Sequence, residues 1–157
     1  LKKQSLALPT GCLLRPATAE DRWKIIRLVL AARLDPTQLR WQQFWVVEEE
    51  KSLIACGQLR DFPDAQELGS LVVSPQWRGR GIGSYLTAHL IREAKKPLYL
   101  ECLGQKLVDF YTHKGFRSIS WQELPRSLQS KFGLSHLAKT YLGLPVTFMQ
   151  YRADTIT

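Results

Sequence analysis

Gly79, Gly81 and Gly83 fall within one five-residue turn, directly after the apolar run Leu71-Val-Val73 and a Ser-Pro step, and directly before a helical pattern. Glycine loses more backbone freedom on folding than any other residue, so three at one turn mean that something must approach the main chain closely. Arg78 and Arg80 flank the turn and imply that the visitor is negatively charged. Strand, glycine turn and helix in that order form a phosphate-binding arrangement. The turn amides and the first helical turn present N–H groups that the helix itself cannot satisfy.

Three other glycine-rich readings compete. A Walker loop needs Gly-Lys-Ser/Thr at the helix start, and none follows. A dinucleotide fingerprint would place an acid about 20 residues on, where Glu101 stands. However, the spacing is Gly-x-Gly-x-Gly, Ser84 occupies the last glycine position, and an antiparallel hairpin rather than a parallel crossover precedes the turn. An RGG-type RNA-binding tract is long, repetitive and disordered, whereas this turn is embedded between core segments.

The rest of the chain alternates strand and helix signals. Cys12–Arg15 reads as a strand, followed by Thr18 as an N-cap with Asp21 at the capping-carboxylate position. Trp23, Ile26, Leu30 and Leu34 recur at helical spacing and predict an amphipathic helix with that face inward. Leu39–Gln43 reads as a second short helix. Phe44–Glu49 and Leu53–Leu59 form a hairpin around the charged turn Glu49-Glu-Lys-Ser52, and Glu67–Val73 follows the Pro63-Asp64 turn as the next strand. After the glycines, Leu86, Leu90 and Ala94 keep helical spacing until Pro97. Leu98–Cys102 is a strand, Leu107, Phe110 and Tyr111 mark a helix closed by Gly115, and Phe116–Trp121 and Val146–Tyr151 are the last strands. Between those two strands, Ser127–Gly143 reads as an inserted helix broken at Gly133. This order predicts an α/β domain with a mixed central sheet.

At 157 residues the chain suits one domain with a sizeable core. No apolar run approaches the roughly 20 residues that cross a bilayer. The start, Leu1-Lys-Lys-Gln-Ser-Leu6, lacks the apolar core of a signal peptide and lacks an initiator Met, which leaves room for a trimmed leader. Cys12, Cys56 and Cys102 lie in apolar stretches without metal-ligand spacing, so buried free thiols, no metal and a cytoplasmic setting are expected. A net charge of +8 would suit nucleic acid, a membrane surface or a polyphosphate ligand. The cations are scattered along the chain, which disfavours nucleic acid and membrane as partners.

Arg78-Gly-Arg-Gly81-Ile-Gly83 resembles the Arg/Gln-x-x-Gly-x-Gly/Ala signature of the GNAT superfamily of acyl-CoA-dependent N-acetyltransferases. Downstream, Phe110-Tyr-Thr-His-Lys-Gly-Phe116 is similar to the family's Phe-Tyr-x-x-x-Gly-Phe segment. The element order matches too, so the resemblance covers residues 1–157 as a single domain. It implies a central sheet of about seven strands flanked by helices, with the helical insert between the last two. Gly104 and Leu107 depart from the family's usual Asn and Ala.

The resemblance implies acetyl-CoA as co-substrate and an amine as acceptor, joined by direct attack in a ternary complex. The turn Arg78, Gly79, Arg80, Gly81, Ile82, Gly83 and Ser84 would cradle the pyrophosphate. Leu71, Val72 and Val73 would pair through main chain with the pantetheine, and the Val73 amide would stabilise the oxyanion. Tyr111 stands where the family places the acid that protonates the departing thiolate, a role that suits a phenol still protonated at neutral pH. Glu67 stands where histone-type members carry a catalytic base, with Glu101 in reserve.

His113 and His89 read as surface residues, and His136 is unassigned. Trp41, Phe44 and Trp45 lie where the family borders its acceptor site, although aromatics of this kind are more often core. The acceptor stays open between a protein or peptide amine and a small amine, and the assembly between monomer and homodimer. The alternative within the same fold is a silent acyl-CoA-binding regulatory module.

Overall fold

The computed structural model describes residues 6–153; the chain start Leu1–Ser5 read above lies outside the described residues. The elements are β1 Cys12–Pro16, α1 Arg22–Ala31, β2 Phe44–Glu49, β3 Ser52–Asp61, β4 Gln66–Val73, α2 Ile82–Glu93, β5 Leu98–Leu103, α3 Gln105–His113, β6 Phe116–Ile119, α4 Arg126–Leu142 and β7 Val146–Tyr151. The seven strands are hydrogen-bonded in the order β1-β2-β3-β4-β5-β7-β6. β4 and β5 run parallel, whereas β1–β2, β2–β3, β5–β7 and β6–β7 are antiparallel. The mixed seven-stranded sheet flanked by helices, with a helix between the last two strands, is the architecture the element order implied. By backbone contacts the chain divides into two compact units, one reaching to Leu59 and resuming over Leu68–Glu93, the other comprising Arg60–Glu67 and the chain from Ala94 onward.

In the first unit the β2–β3 hairpin turns on Glu50 and Lys51, both left-handed with φ of 45° and 65°. That pair of positive angles matches the twist of the flanking strands but suits glycine or asparagine better than the residues present. Upstream, Thr18 and Asp21 form the expected capping box: the Asp21 carboxylate accepts from the Thr18 N–H at 2.8 Å and is gripped by both Nη atoms of Arg15 at 2.7 and 3.0 Å.

The face of α1 differs from the expectation. Ile25 and Val29 are buried with Phe44, Val46, Cys56 and Val72, and Leu28 and Ala32 pack beside them, while Trp23 is 70% exposed and Leu30 is 53% exposed. Two apolar stripes run along this helix, and both have helical period. Spacing alone cannot choose between them, and the strand residues available to pack against decide. Leu39–Gln43 shortens to a 3₁₀ turn at Trp41–Gln43. α2 seats against β3 at Gly57, where a Cβ would lie 2.8 Å from Leu90 Cδ1 and 3.2 Å from Leu71 Cδ1.

In the second unit a core of Ala65, Tyr99, Leu124, Leu128, Phe132, Val146 and Phe148 forms between the strands and α4. Contrary to the expected break, α4 runs through Gly133 without interruption and stops at Gly143, which takes φ of 65°. A glycine inside a helix costs about 1 kcal/mol relative to alanine. Burying Leu128 and Phe132 contributes roughly 1.5–3 kcal/mol each and outweighs it. On the other side of β5, Tyr111 packs edge-on to Phe110 and Phe116 at 5.0 and 5.6 Å between ring centroids.

Candidate active site

Ser74 caps the end of β4 by donating its N–H to Ile54 at 2.8 Å, and a 3₁₀ turn over Pro75–Trp77 then redirects the chain into the glycines. Gly79 and Gly81 adopt φ of 77° and 83°, angles that L side chains rarely take. No atom lies within 4 Å of where a Cβ would stand on either. Among the described residues, the amides from Gly79 through Ser84 donate to no main-chain carbonyl, and the first α2 bond to close over the turn is Tyr85 N–H to Gly81 at 3.0 Å. Six consecutive N–H groups at the positive end of a twelve-residue helix therefore have no main-chain acceptor. Such a row of donors is suited to an anion.

The two arginines do different things. Arg78 turns back and donates Nε–H to the Val73 carbonyl at 3.0 Å, tying the turn to the strand end. Arg80 lays its guanidinium over the Trp77 ring, 4.5 Å from the centroid. Along the strand itself, Ser70 takes a left-handed φ of 49°, which breaks the alternation of β4. Beyond it, Val72 enters the core with Phe44 and Val46, while Leu71 and Val73 are half-buried.

The second unit holds Tyr111 and the carboxyls. The β4–β5 ladder comprises two register pairs, Gln66↔Leu98 and Glu67↔Tyr99. Glu67 is only 2% exposed and is no strand-end surface residue. Its Oε1 accepts from Arg60 Nη1 at 3.0 Å and from Lys131 Nζ at 2.7 Å, and its Oε2 lies 2.6 Å from Lys131 Nζ. Glu101 stands in the same cluster. Burial pushes its carboxyl above the ordinary value, Glu67 adds to this, and the Ser135 hydroxyl, Lys131 and Arg60 oppose it. Burial likewise draws the Lys131 ammonium down, against the pull of Glu67. Tyr111 is 7% exposed, and burial followed by the neighbouring Cys102 raises its phenol, which keeps the proton on oxygen.

Arg60, Lys131 and Ser135 were not expected from the sequence. Lys131 carried a signal, since it falls on the stripe Leu128, Phe132, Ser135 at the three- and four-residue steps of a buried helix face. One other placement, that of His89, differs from expectation. His89 is packed edge-on to Trp45 with 4.1 Å between centroids, and desolvation lowers its affinity for a proton, so it is no surface residue. Phe44 is a core residue with Trp41 packed against the same cluster, so these two aromatics are structural. His113 is exposed, as expected. Cys56 and Cys102 are buried free thiols, with burial raising them to about 12 and about 11, and Cys12 is half-buried. No group of three or more His, Cys, Asp or Glu among the described residues could hold a metal ion, and no described helix is long and apolar enough to cross a membrane.

Comparison with known proteins places these features. A family model described as an acetyltransferase (GNAT) domain matches residues 40–118, which spans the hairpin, the glycine turn and the Tyr111 segment. An amino-acid acetyltransferase of Ectopseudomonas mendocina is 27% identical over 143 residues, covering 82% of this chain and 33% of its own. The corresponding protein of Pseudomonas fluorescens is 30% identical over 106 residues, covering 64% of this chain and 24% of its own. The chain thus spans a third or less of the curated relatives it matches.

Among solved structures, N-acetylglutamate synthase from Neisseria gonorrhoeae, complexed with coenzyme A and N-acetyl-glutamate, superimposes with a TM-score of 0.70 at 22% identity, covering 94% of this chain and 37% of that one. Rv2747 from Mycobacterium tuberculosis, solved in complex with CoA, gives a TM-score of 0.69 at 21% identity over 90% of this chain and 99% of its own. At such identities these two likenesses speak for the fold. The family model covers half of the chain and includes both of its motifs, and by that match the chain belongs to the GNAT family of acetyltransferases.

Proposed function

We propose that this chain transfers the acetyl group of acetyl-CoA to the α-amino group of an amino acid. The observation that carries the reading is the row of amides from Gly79 to Ser84 without main-chain acceptors, with nothing within 4 Å of a Cβ placed on Gly79 or Gly81. A diphosphate is the ligand that such a row suits, because it brings several acceptor oxygens and charge to one helix end. The amino-acid acceptor is supported by the relatives named amino-acid acetyltransferase and by the synthase solved with N-acetyl-glutamate.

In this reading the amides of Gly79–Ser84 hold the pyrophosphate, the Arg78 N–H being engaged by the Pro75 carbonyl at 3.3 Å, and Leu71–Val73 offer main chain to the pantetheine. The acyl group arrives already activated as a thioester, so positioning supplies much of the rate. A neutral amine attacks the thioester carbonyl carbon, the Val73 N–H stabilises the oxyanion, the nitrogen gives up a proton to solvent, and the carbon–sulfur bond breaks. The departing thiolate takes the Tyr111 phenolic proton, which solvent then replaces. Burial raises the Tyr111 phenol, so it carries its proton at neutral pH, the state that a donor needs.

Calorimetry with acetyl-CoA, beside thiol release over a panel of standard amino acids, lysine peptides and simple amines, tests the reading. Gly81→Glu is expected to abolish acetyl-CoA binding. Tyr111→Phe is expected to keep binding and to lower kcat about 100-fold. Normal binding by Gly81→Glu would refute the cradle. Tight binding without thiol release for any amine would make the chain an acyl-CoA-binding module instead.

A further inference from the structure

The register pair Glu67↔Tyr99 places these two side chains on one face of the β4–β5 ladder, and Glu101, two residues beyond Tyr99, shares that face. α4 covers it. Leu128 and Phe132 bury themselves around Tyr99, and Lys131 and Ser135 follow on the same helical stripe. Two carboxyls and two cations from four elements are thereby gathered, Glu67 and Arg60 buried and Glu101 and Lys131 part-buried.

The two carboxyls are not equivalent. Both Glu67 oxygens are within ion-pair distance of cations, with Lys131 Nζ at 2.7 and 2.6 Å and Arg60 Nη1 at 3.0 Å. Ser135 and Lys131 both favour the charged form of Glu101, and its Oε2 is buried with no hydrogen-bond partner. An unmade bond at a buried polar atom is costly. The ammonium or amine N–H of an acceptor is the donor that would relieve it. Adjacent strand residues point to opposite faces, so the neighbouring Cys102 lies on the other side of β5, where it is the thiol that influences Tyr111. The two proton-handling groups are thus separated by the strand.

We propose that Lys131, supplied by α4, is a positioning residue: it holds Glu67 in the ion triad with Arg60 and leaves Glu101 as the carboxylate that takes the proton of the acceptor's ammonium group. This rests on the acetyl-transfer reading and moves the base from Glu67 to Glu101. The acceptor's N–H⁺ bond breaks, its proton passes to a Glu101 oxygen, and the freed lone pair attacks the thioester carbonyl carbon; as the carbon–sulfur bond breaks, the nitrogen loses its second proton to solvent. The carboxylic acid then returns its proton to water, leaving the net reaction unchanged. The charged and polar groups facing Glu101 are Arg60 on β3, Glu67 on β4, and Lys131 and Ser135 on α4, with the Cys102 thiol next to it in the strand.

Thiol release from acetyl-CoA with standard amino acids is followed against pH for wild type, E101Q, E67Q, K131M and S135A, with thermal melts to establish folding. The Glu101 carboxyl is titrated by carbon-13 NMR in wild type, K131M and S135A without substrate. E101Q is expected to lower kcat/KM about 100-fold or more and to erase the acidic limb of the profile. K131M is expected to keep the KM for acetyl-CoA, lower kcat, and move both the limb and the Glu101 titration to higher pH, since a cation opposing protonation is gone. S135A shifts the titration the same way and serves in place of K131M if that variant does not fold.

An E101Q profile with the wild-type limb, loss of that limb in E67Q alone, or an unmoved Glu101 titration would overturn this role while leaving acetyl transfer standing. A folded wild type that releases no thiol with any amine would overturn acetyl transfer and this role together.

Discussion

Lys131 Nζ lies 2.6 Å from one carboxylate oxygen of Glu67 and 2.7 Å from the other, a contact closed across 64 residues of sequence. Both side chains are largely buried, at 16% and 3% exposure, so each neutralises a charge the other could not leave in place alone. K131M and E67Q are each expected to destabilise the protein, and the double variant to recover part of the loss. The coupling expected from urea melts is about 1–3 kcal/mol. Strictly additive energies would mean that the pair contributes nothing beyond its separate side chains.

Asp21 ties stability to acid. The Arg15 guanidinium, ahead of the opposing effect of burial, holds its carboxyl down at about 2, against an ordinary 3.8. A depressed folded value contributes stability that is complete above the ordinary value and is lost as pH falls toward the folded one. Denaturant melts of wild type should therefore lose about 2 kcal/mol between pH 5 and pH 2 from this group alone. Asp21→Asn should lack that component of the slope and be less stable at neutral pH.

The turn between β2 and β3 holds Glu50 and Lys51 at φ of 45° and 65°, where side chains with a Cβ are strained. Replacing the pair by Asn-Gly is expected to raise stability by about 1 kcal/mol. The acetyl-CoA affinity should not change, which calorimetry checks.

Gly57 admits α2 to the sheet. A Cβ there would meet Leu90 Cδ1 at 2.8 Å, Leu71 Cδ1 at 3.2 Å and Leu86 Cδ2 at 3.4 Å, and Leu86 and Leu90 are fully buried with nowhere to shift. Gly57→Val is expected to destabilise by about 1–3 kcal/mol. Adding Leu90→Ala to it should restore part of the melting temperature, an inversion that the separate variants would not suggest.

Local patterns carried much of this architecture. β2 and β7 occupy the stretches Phe44–Glu49 and Val146–Tyr151 read from the sequence, and the Thr18–Asp21 box closes as its spacing required. Where two local signals were equally good, the pattern misled. Along α1 the stripe Trp23, Ile26, Leu30 is as periodic as Ile25, Val29, Ala32, and only the partners offered by Phe44 and Val72 make the second one the core. At Gly133 the intrinsic cost of glycine is real, but the packing of Phe132 against Phe148, with ring centroids 5.7 Å apart, lies outside any local window.

The sequence by itself determined the order of strands and helices, the glycine turn with its positive-φ backbone, and the family, because each is written in residues a few positions apart whose backbone preferences act directly. Only the tertiary structure decided which carboxyls share a site. Arg60, Glu67, Glu101 and Lys131 sit on four elements, and no spacing along the chain relates them. They meet because β4 and β5 pair in one register and α4 docks by Leu128 and Phe132, which carries Lys131 and Ser135 with them. Charge compensation in a buried place is a property of that docking, and the pattern of any one segment cannot express it.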